Sequence, residues 1–431
     1  MDLYDLFLQH PVVTTDSRSC PEGSLFFALK GDKFNANAFA ADALAKGCSY
    51  AVIDDARYAT DDRCIVVADV LKALQELATL HRKSMPAKII GITGSNGKTT
   101  TKELIAAVLK QRFDVLYTQG NLNNHIGVPL TLLQLRPHHQ LAIIEMGANH
   151  PGEIQLLSSI ARPDFGIITN VGKAHLEGFG SFEGVKQTKA ELYRYIAGEG
   201  LAIFINRSNA HLAEMAGKAG IDPEKQIGYT LGVSDDPACV SGEITANDPL
   251  LKMKCHTGDE VVIQTNLIGA YNAENVLAAV AIGQFFGLSG NEIKQGLEAY
   301  QPTNNRSQLT ITAHNQLVVD AYNANPSSMQ AAIQNFSMLE ASCKTLILGD
   351  MLELGNDSRA EHQTLVNLLK EKNLTRVYLV GNEFQSVETD YPRYATVEAL
   401  QEVLSAHPVR NCLILIKGSR GIQLEKIIPF V

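Results

Sequence analysis

Around residue 90 an apolar run, Ile89–Thr93, passes through Gly94-Ser95-Asn96-Gly97-Lys98-Thr99 into Thr99–Gln111, where Leu104, Val108 and Leu109 recur at helical spacing. A buried strand, a glycine-rich turn and a helix in that order make a phosphate cradle. The glycines let backbone N–H groups turn inward, and the helix amino terminus adds a favourable dipole. Gly94, Ser95, Asn96, Gly97, Lys98, Thr99 and Thr100 are therefore the candidate nucleotide-phosphate residues, with Lys98 reaching the β/γ phosphates and Thr99 able to ligate Mg²⁺, in a loop that ATPases, GTPases, kinases and ligases share. The general pattern has a further glycine at the position of Ile92, so only the T-G-x-x-G-K-T core is present. A glycine-rich turn with a surface lysine is the bland alternative, disfavoured by the strand–loop–helix context.

The rest of the chain bounds what such a loop serves. Its 431 residues suggest two to four domains, and 45% apolar with 19% charged residues is the composition of a folded protein. With 37 Lys+Arg against 46 Asp+Glu the net charge is −9, the wrong sign for gripping nucleic acid, so any phosphate site is local. Seven cysteines without a C-x-x-C pair indicate neither a disulfide framework nor a zinc cluster, and fit a reducing cytoplasm. Asp2 and Asp5 stand where a signal peptide would carry basic residues, and no stretch approaches a membrane span, so neither export nor membrane insertion is expected.

The rhythm of apolar runs divides the chain into three α/β units. Residues 1–85 mix short runs at Ser24–Leu29, Tyr50–Ile53 and Cys64–Val67 with helical stretches around Phe39–Lys46 and Val70–Arg82. In 86–302, buried-strand runs at Ile89–Thr93, Leu141–Met146, Phe165–Val171 and Leu201–Asn206 alternate with helices, the pattern of a parallel sheet covered on both faces; a helix from about Ala273 to Phe286 closes the unit. In 303–431 a doubly wound series follows, with strands at Leu317–Asp320, Thr345–Leu348, Arg376–Val380 and Asn411–Ile416. It lacks G-x-G-x-x-G after its first strand, so a Rossmann-like sheet is expected without a dinucleotide site.

Three residues outside the loop extend its chemistry. Glu145 ends a strand at the sheet edge that carries the loop, where a carboxylate can hold a metal ion; facing solvent is its plain alternative. His175 follows Phe165–Val171 at the same edge, and its convergence with Thr99 and Glu145 favours a functional reading over a structural one. Lys189 alone would be a charge on a helix. Together, Thr93–Lys102, Gly120-Asn121-Leu122-Asn123-Asn124, Glu145-Met146-Gly147, Asn170–Glu177 and the Lys189 segment resemble the ATP-dependent Mur ligases of peptidoglycan synthesis and their relatives the folylpolyglutamate synthetases. That family also carries an apolar residue where Ile92 stands.

Outside the middle unit, Asp16-Ser17-Arg18, Leu25–Gly31, Asp320–Met329 and Gly349–Gly355 most resemble the family members that join D-alanyl-D-alanine to UDP-N-acetylmuramoyl-tripeptide. The resemblance implies a cytoplasmic, monomeric enzyme using ATP and Mg²⁺, with the UDP-sugar on 1–85, MgATP on 86–302 and the dipeptide on 303–431. It also implies Lys98, His175 and Lys189 as catalytic residues, and Thr99, Glu145, His175 and a carbamylated Lys189 as metal ligands. Asn272 and Asn275 are implied near the adenine, Arg306 at the ATP phosphates and Asp320 near the ribose. Ser17, Arg18, Asn121, Asn124, Asn323, Asn325 and Lys417 are implied on the substrate side. Six of these have a plain alternative: Asn272 as a helix cap, Arg306 as a linker charge, Asp320, Asn323 and Asn325 as turn residues, Lys417 as part of a basic surface turn. One departure is Phe34-Asn35-Ala36-Asn37, where family members often carry Asp and His after the Phe. Two rivals remain: a folate or other amide ligase of the same superfamily, and a regulatory P-loop NTPase that hydrolyses ATP without an acceptor.

Overall fold

The computed structural model describes residues 2–31, 33–303, 306 and 308–431. Three α/β units follow one another along the chain. The first carries a parallel sheet of Val13–Thr14, Leu25–Phe27, Tyr50–Ile53 and Cys64–Val66, in that spatial order. Leu25–Phe27 and Tyr50–Ile53 coincide with short apolar runs of the sequence because Leu25, Phe26, Phe27, Ala51, Val52 and Ile53 are wholly buried, which leaves no polar face to give alternation; Cys64–Val66 also falls on an expected run, whereas the half-buried Val13–Thr14 was not read as a strand.

The middle sheet has nine strands. From one edge to the other they are Asp259–Ile268, Leu250–Thr257, Val240–Asn247, Gln226–Leu231, Ala202–Asn206, Phe165–Ile168, Lys88–Thr93, Leu141–Glu145 and Val115–Tyr117. Val115–Tyr117 through Val240–Asn247 pair in parallel, whereas Leu250–Thr257 and Asp259–Ile268 are antiparallel additions. The expectation of a purely parallel middle sheet is corrected accordingly. The signal was present, since Leu251, Met253 and Cys255 are buried and alternate with Lys252, Lys254 and His256, the period-two pattern of a strand with one wet face.

Lys88–Thr93 is central in both senses. Alternate side chains leave a strand on opposite faces, so Ile89 joins an apolar cluster with Leu74, Ile160 and Ile196, while Ile90 and Ile92 pack with Leu104, Val108 and Val280 on the other side. Burying each of these isoleucines contributes roughly 2 kcal/mol, which fixes the point where the strand ends and the loop begins.

The third sheet runs Gln308–Ile311, Gln316–Asp320, Leu413–Lys417, Lys344–Gly349, Val377–Val380 and Arg393–Tyr394; only Gln308–Ile311 is antiparallel to its neighbour. Helices Pro326–Met338, Ser358–Glu371 and Val397–Ala406 connect its strands. The expectation of no disulfide framework is corrected by one bond, Cys343–Cys412. These cysteines, distant in sequence, immediately precede Lys344 and Leu413, which pair across two parallel strands, so register alone makes them neighbours. Among the described residues, no helix is long and apolar enough to cross a membrane.

The first unit is tied to the middle sheet through Asp164, whose carboxylate accepts from Arg82 (2.7 Å), Lys88 (2.9 Å) and the Ile89 N–H (2.9 Å). Arg82 belongs to the helix Val70–Ser84, and its side chain and that of Asp164 are largely buried. Asp164→Ala leaves the Arg82 charge without its partner and is expected to cost about 3 kcal/mol, read as a lower urea midpoint with an unchanged far-UV spectrum.

Candidate active site

Gly97 enters the helix Lys98–Leu109 in the left-handed region (φ 77°), with no side chain capping the first turn, so its N–H groups are open to an anion. Gly94 sits at φ 142°, and a Cβ there would lie 2.0 Å from the Thr169 hydroxyl. At Gly97 a Cβ would lie 2.6 Å from Asn275 Oδ1. Both glycines are required by close approach as well as by backbone conformation.

The loop is held in shape by the segment after Phe165–Ile168. Ser95 Oγ donates to the Gly172 carbonyl (3.1 Å) and accepts from the Gly172 N–H (2.9 Å). The Asn96 N–H donates to Asn170 Oδ1 (3.0 Å), and the Asn96 carbonyl accepts from Thr169 Oγ1 (2.6 Å) and Asn170 Nδ2 (3.1 Å). Asn170 opened a quoted motif and Thr169 lay within a quoted strand run, but neither carried an assigned role, because a strand-end Asn reads as a turn. Their role depends on parallel pairing of Phe165–Ile168 with Ile90–Thr93.

These residues open onto a cavity of about 760 Å³. Ser95, Asn96, Gly97, Lys98, Thr99, Thr100, Asn121, Asn124, Glu145, His175, Asn272, Asn275, Arg306, Asp320, Asn323, Asn325 and Lys417 all line it. Gly94 lies behind the wall as part of the loop. Lys189 is buried just outside the lining, its ammonium 3.4 Å from the Ala148 carbonyl and over the Phe179 ring. Ser17 and Arg18 are not brought to the cavity; Arg18 is paired with Asp16 at 2.9 Å on the surface of the first unit.

Glu145 is buried rather than facing solvent. It accepts from Thr99 Oγ1 (2.9 Å) and Asn123 Nδ2 (2.8 Å), and the wholly buried Lys102 ammonium lies 3.7 Å away. Lys102 and Asn123 are thus further site residues; each stood inside a quoted motif, but neither carried an assigned role. Among the described residues no three His, Cys, Asp or Glu side chains cluster as a metal site. An adjacent hydroxyl and carboxylate nevertheless suit Mg²⁺, which takes one or two protein oxygens together with substrate phosphates. The chemistry of this pair fits the ion.

A half-buried lysine, Lys98, and a buried one, Lys189, lie close to this centre. Burial lowers the Lys98 pKa against the opposing pull of Glu145, and its ammonium donates to the carbonyls of Gly94 (2.7 Å) and Ser95 (3.3 Å). Lys189 is held well below the usual lysine range, first by burial and then by the Lys98 charge.

From the other side the third unit supplies Arg306, whose guanidinium stacks on Tyr322 at 3.7 Å and whose buried Nε has no hydrogen-bond partner among the described residues. The linker-charge alternative for Arg306 is therefore wrong. Asp320 is paired with the buried Lys417 at 2.6 Å, so neither is a free surface charge. Asn325 caps the helix Pro326–Met338 through Oδ1 and donates from Nδ2 to Asn96 Oδ1 (2.7 Å), which joins the third unit to the phosphate loop. Asn323 accepts from the Ala324 N–H at 2.9 Å, in keeping with a turn. Asn272 is not a side-chain cap: it donates to the Ile268 carbonyl and accepts from Asn275, which in turn accepts from Thr101.

Residues 92–283 match the Mur ligase middle domain and residues 305–420 the Mur ligase glutamate ligase domain. The chain belongs to the Mur ligase family. It is 36% identical to the UDP-N-acetylmuramoyl-tripeptide--D-alanyl-D-alanine ligase of Escherichia coli K12, covering 96% of this chain and 92% of that protein. The crystal structure of MurF from Acinetobacter baumannii superposes with a TM-score of 0.85 at 33% identity, over 97% of this chain and 92% of that one. MurF from Thermotoga maritima, solved with ADP, shares the fold with a TM-score of 0.84 at 23% identity, over 100% and 98% of the two chains. Like its family, this chain is a ligase of three-unit α/β architecture.

Asn170→Ala removes the two contacts that the Asn170 amide makes with Asn96 and leaves those from Thr169 and Asn325. The KM for ATP is expected to rise about tenfold, equivalent to roughly 1.4 kcal/mol, with the urea midpoint little changed; steady-state kinetics at varied ATP reads it.

Proposed function

We propose that this ligase joins D-alanyl-D-alanine to UDP-N-acetylmuramoyl-tripeptide with ATP and Mg²⁺, as a cytoplasmic monomer making a peptidoglycan precursor. The observation that carries the reading is a single cavity. A phosphate loop, the Thr99–Glu145 pair and a second set of polar groups, Arg306, Asp320 and Lys417, surround one space of nucleotide size. In the division of labour, 1–85 hold the UDP-sugar, 86–302 the nucleotide and 303–431 the dipeptide.

A carboxylate resists amines because oxide is a poor leaving group. Transfer of the ATP γ-phosphoryl group to the terminal carboxylate of the tripeptide gives ADP and an acyl phosphate. The free amine of D-alanyl-D-alanine then attacks the acyl carbon, the C–O bond to phosphate breaks, and inorganic phosphate departs as the amide forms. The protein's contribution is alignment and charge neutralisation. Lys98 faces the β/γ phosphates, and Arg306, held flat on Tyr322, approaches the transferring group from the third unit. Thr99 and Glu145, with His175 beside them, hold Mg²⁺, which supplies charge neutralisation at the phosphates. Asn272 and Asn275 meet the adenine, Asp320 the ribose, and Asn121, Asn124, Asn323, Asn325 and Lys417 the acceptor side.

Lys189 fits a carbamate. A buried amine with a depressed pKa is neutral enough to add CO₂, and the product exchanges a cation for an anionic oxygen donor near the metal pair. Lys189→Ala is expected to lower kcat at least tenfold and to recover partly with short-chain carboxylic acids; full activity without supplement removes the carbamate.

Phosphate release is the deciding assay. Purified protein with MgATP is expected to release phosphate only when UDP-N-acetylmuramoyl-tripeptide and D-alanyl-D-alanine are both present, with meso-diaminopimelate and lysine tripeptides ranked by kcat/KM. Hydrolysis independent of both would favour a regulatory NTPase and refute the substrate reading.

A further inference from the structure

His175 and Glu353 meet across the junction between the middle and third units, the Nδ1 of the imidazole against the carboxylate. Both are non-glycine residues in the left-handed region, at φ 52° and φ 64°. Such backbones persist only where their surroundings over-determine them, and here the two strained residues are each other's partners.

Each is anchored within its own unit. The His175 segment is tied to the phosphate loop by the paired bonds between Gly172 and Ser95, at 2.9 and 3.1 Å. The Glu353 segment is held from the opposite side. Asp350 accepts the N–H groups of Glu383 (2.9 Å) and Phe384 (3.0 Å), the Met351 N–H donates to His362 Nε2 (3.0 Å), and the Leu352 N–H to Ser419 Oγ (3.0 Å). Around the contact, the Glu177 N–H donates to the Glu353 carbonyl (3.3 Å), and Lys173 pairs with Glu361 (2.6 Å). The path from phosphate loop to third unit is continuous, and the imidazole is its midpoint.

We propose that Glu353 is a positioning residue, which by accepting the Nδ1–H of His175 across the junction fixes the imidazole's tautomer and orientation in the cavity when the third unit is docked. An imidazole whose Nδ1–H is taken by a carboxylate presents Nε2 as its remaining nitrogen. Docking of the acceptor-side unit and arrangement of the phosphate side are thereby one event. The inference rests on the ligase reading for its kinetic consequence, but its geometric part stands apart from it.

The test uses the full chain. Glu353→Ala is expected to lower kcat about 10–100-fold with the KM for ATP within about threefold. Glu353→Gln, whose amide oxygen still accepts from Nδ1–H, is expected to stay within about threefold of the unaltered chain in kcat. Glu361→Gln, which weakens the Lys173 contact at the same junction without touching His175, is expected to leave kcat within about twofold. In ¹⁵N-histidine spectra, with His175→Gln assigning the signal, the neutral imidazole is expected to carry its proton on Nδ1 and to shift to Nε2 in E353A. Unaltered kcat in E353A, equal losses in E353Q and E361Q, or an unchanged tautomer would each overturn the proposal. Should E353A fail to fold, Glu353→Met against E353Q decides the same points. If the unaltered chain shows no ligase turnover, the substrate reading fails, while the spectra still decide the contact.

Discussion

Everything in the cavity is referred to the fit between the phosphate loop and the 169–172 segment. The strand Lys88–Thr93 is locked from both faces by isoleucines, so the chain leaves the sheet at a fixed place and direction. Gly94 can turn there only because it lacks a Cβ that would strike Thr169, and Ser95 and Asn96 are then held by Thr169, Asn170 and Gly172. A loop whose N–H groups already point inward needs little reorganisation when charge arrives, which is the condition under which fixed dipoles lower a barrier.

From that fit the remaining groups inherit their positions. Parallel pairing puts the ends of Lys88–Thr93, Leu141–Glu145 and Phe165–Ile168 at one sheet edge, so Thr99, Glu145 and His175 gather although they are far apart in the chain. Asn325 reaches Asn96, and Glu353 reaches His175, so the third unit is registered against the loop itself rather than against a remote surface. Burial then sets the electrostatics. Lys98 and Lys189 are both depressed mainly by desolvation, and the Lys98 charge lowers Lys189 further.

Much of this was legible beforehand. Strongly apolar runs mark strands whose two faces are both covered, which is why Tyr50–Ile53 and Leu141–Glu145 read so closely. The antiparallel strands Leu250–Thr257 and Asp259–Ile268 were missed because their outward residues are polar, so neither forms the continuous apolar run by which the other strands were found. The Cys343–Cys412 bond was missed because it depends on which strands become neighbours. Ser17 and Arg18 lie on the first unit, outside the lining of the nucleotide cavity, in keeping with an expectation that set them on the sugar-nucleotide side.

The sequence by itself determined the phosphate loop, the alternation of strands and helices in three units, and the residue types able to handle ATP and a divalent ion. Each of these is written in local spacing, through periodicity, turn residues and capping, and needs no distant partner to be read. Only the tertiary structure decided that Arg306 lies on Tyr322, that Lys417 neutralises Asp320, that Lys102 and Asn123 flank Glu145, and that Glu353 meets His175. Those contacts join residues brought together by strand order and unit docking, and no local pattern encodes a distance across a junction.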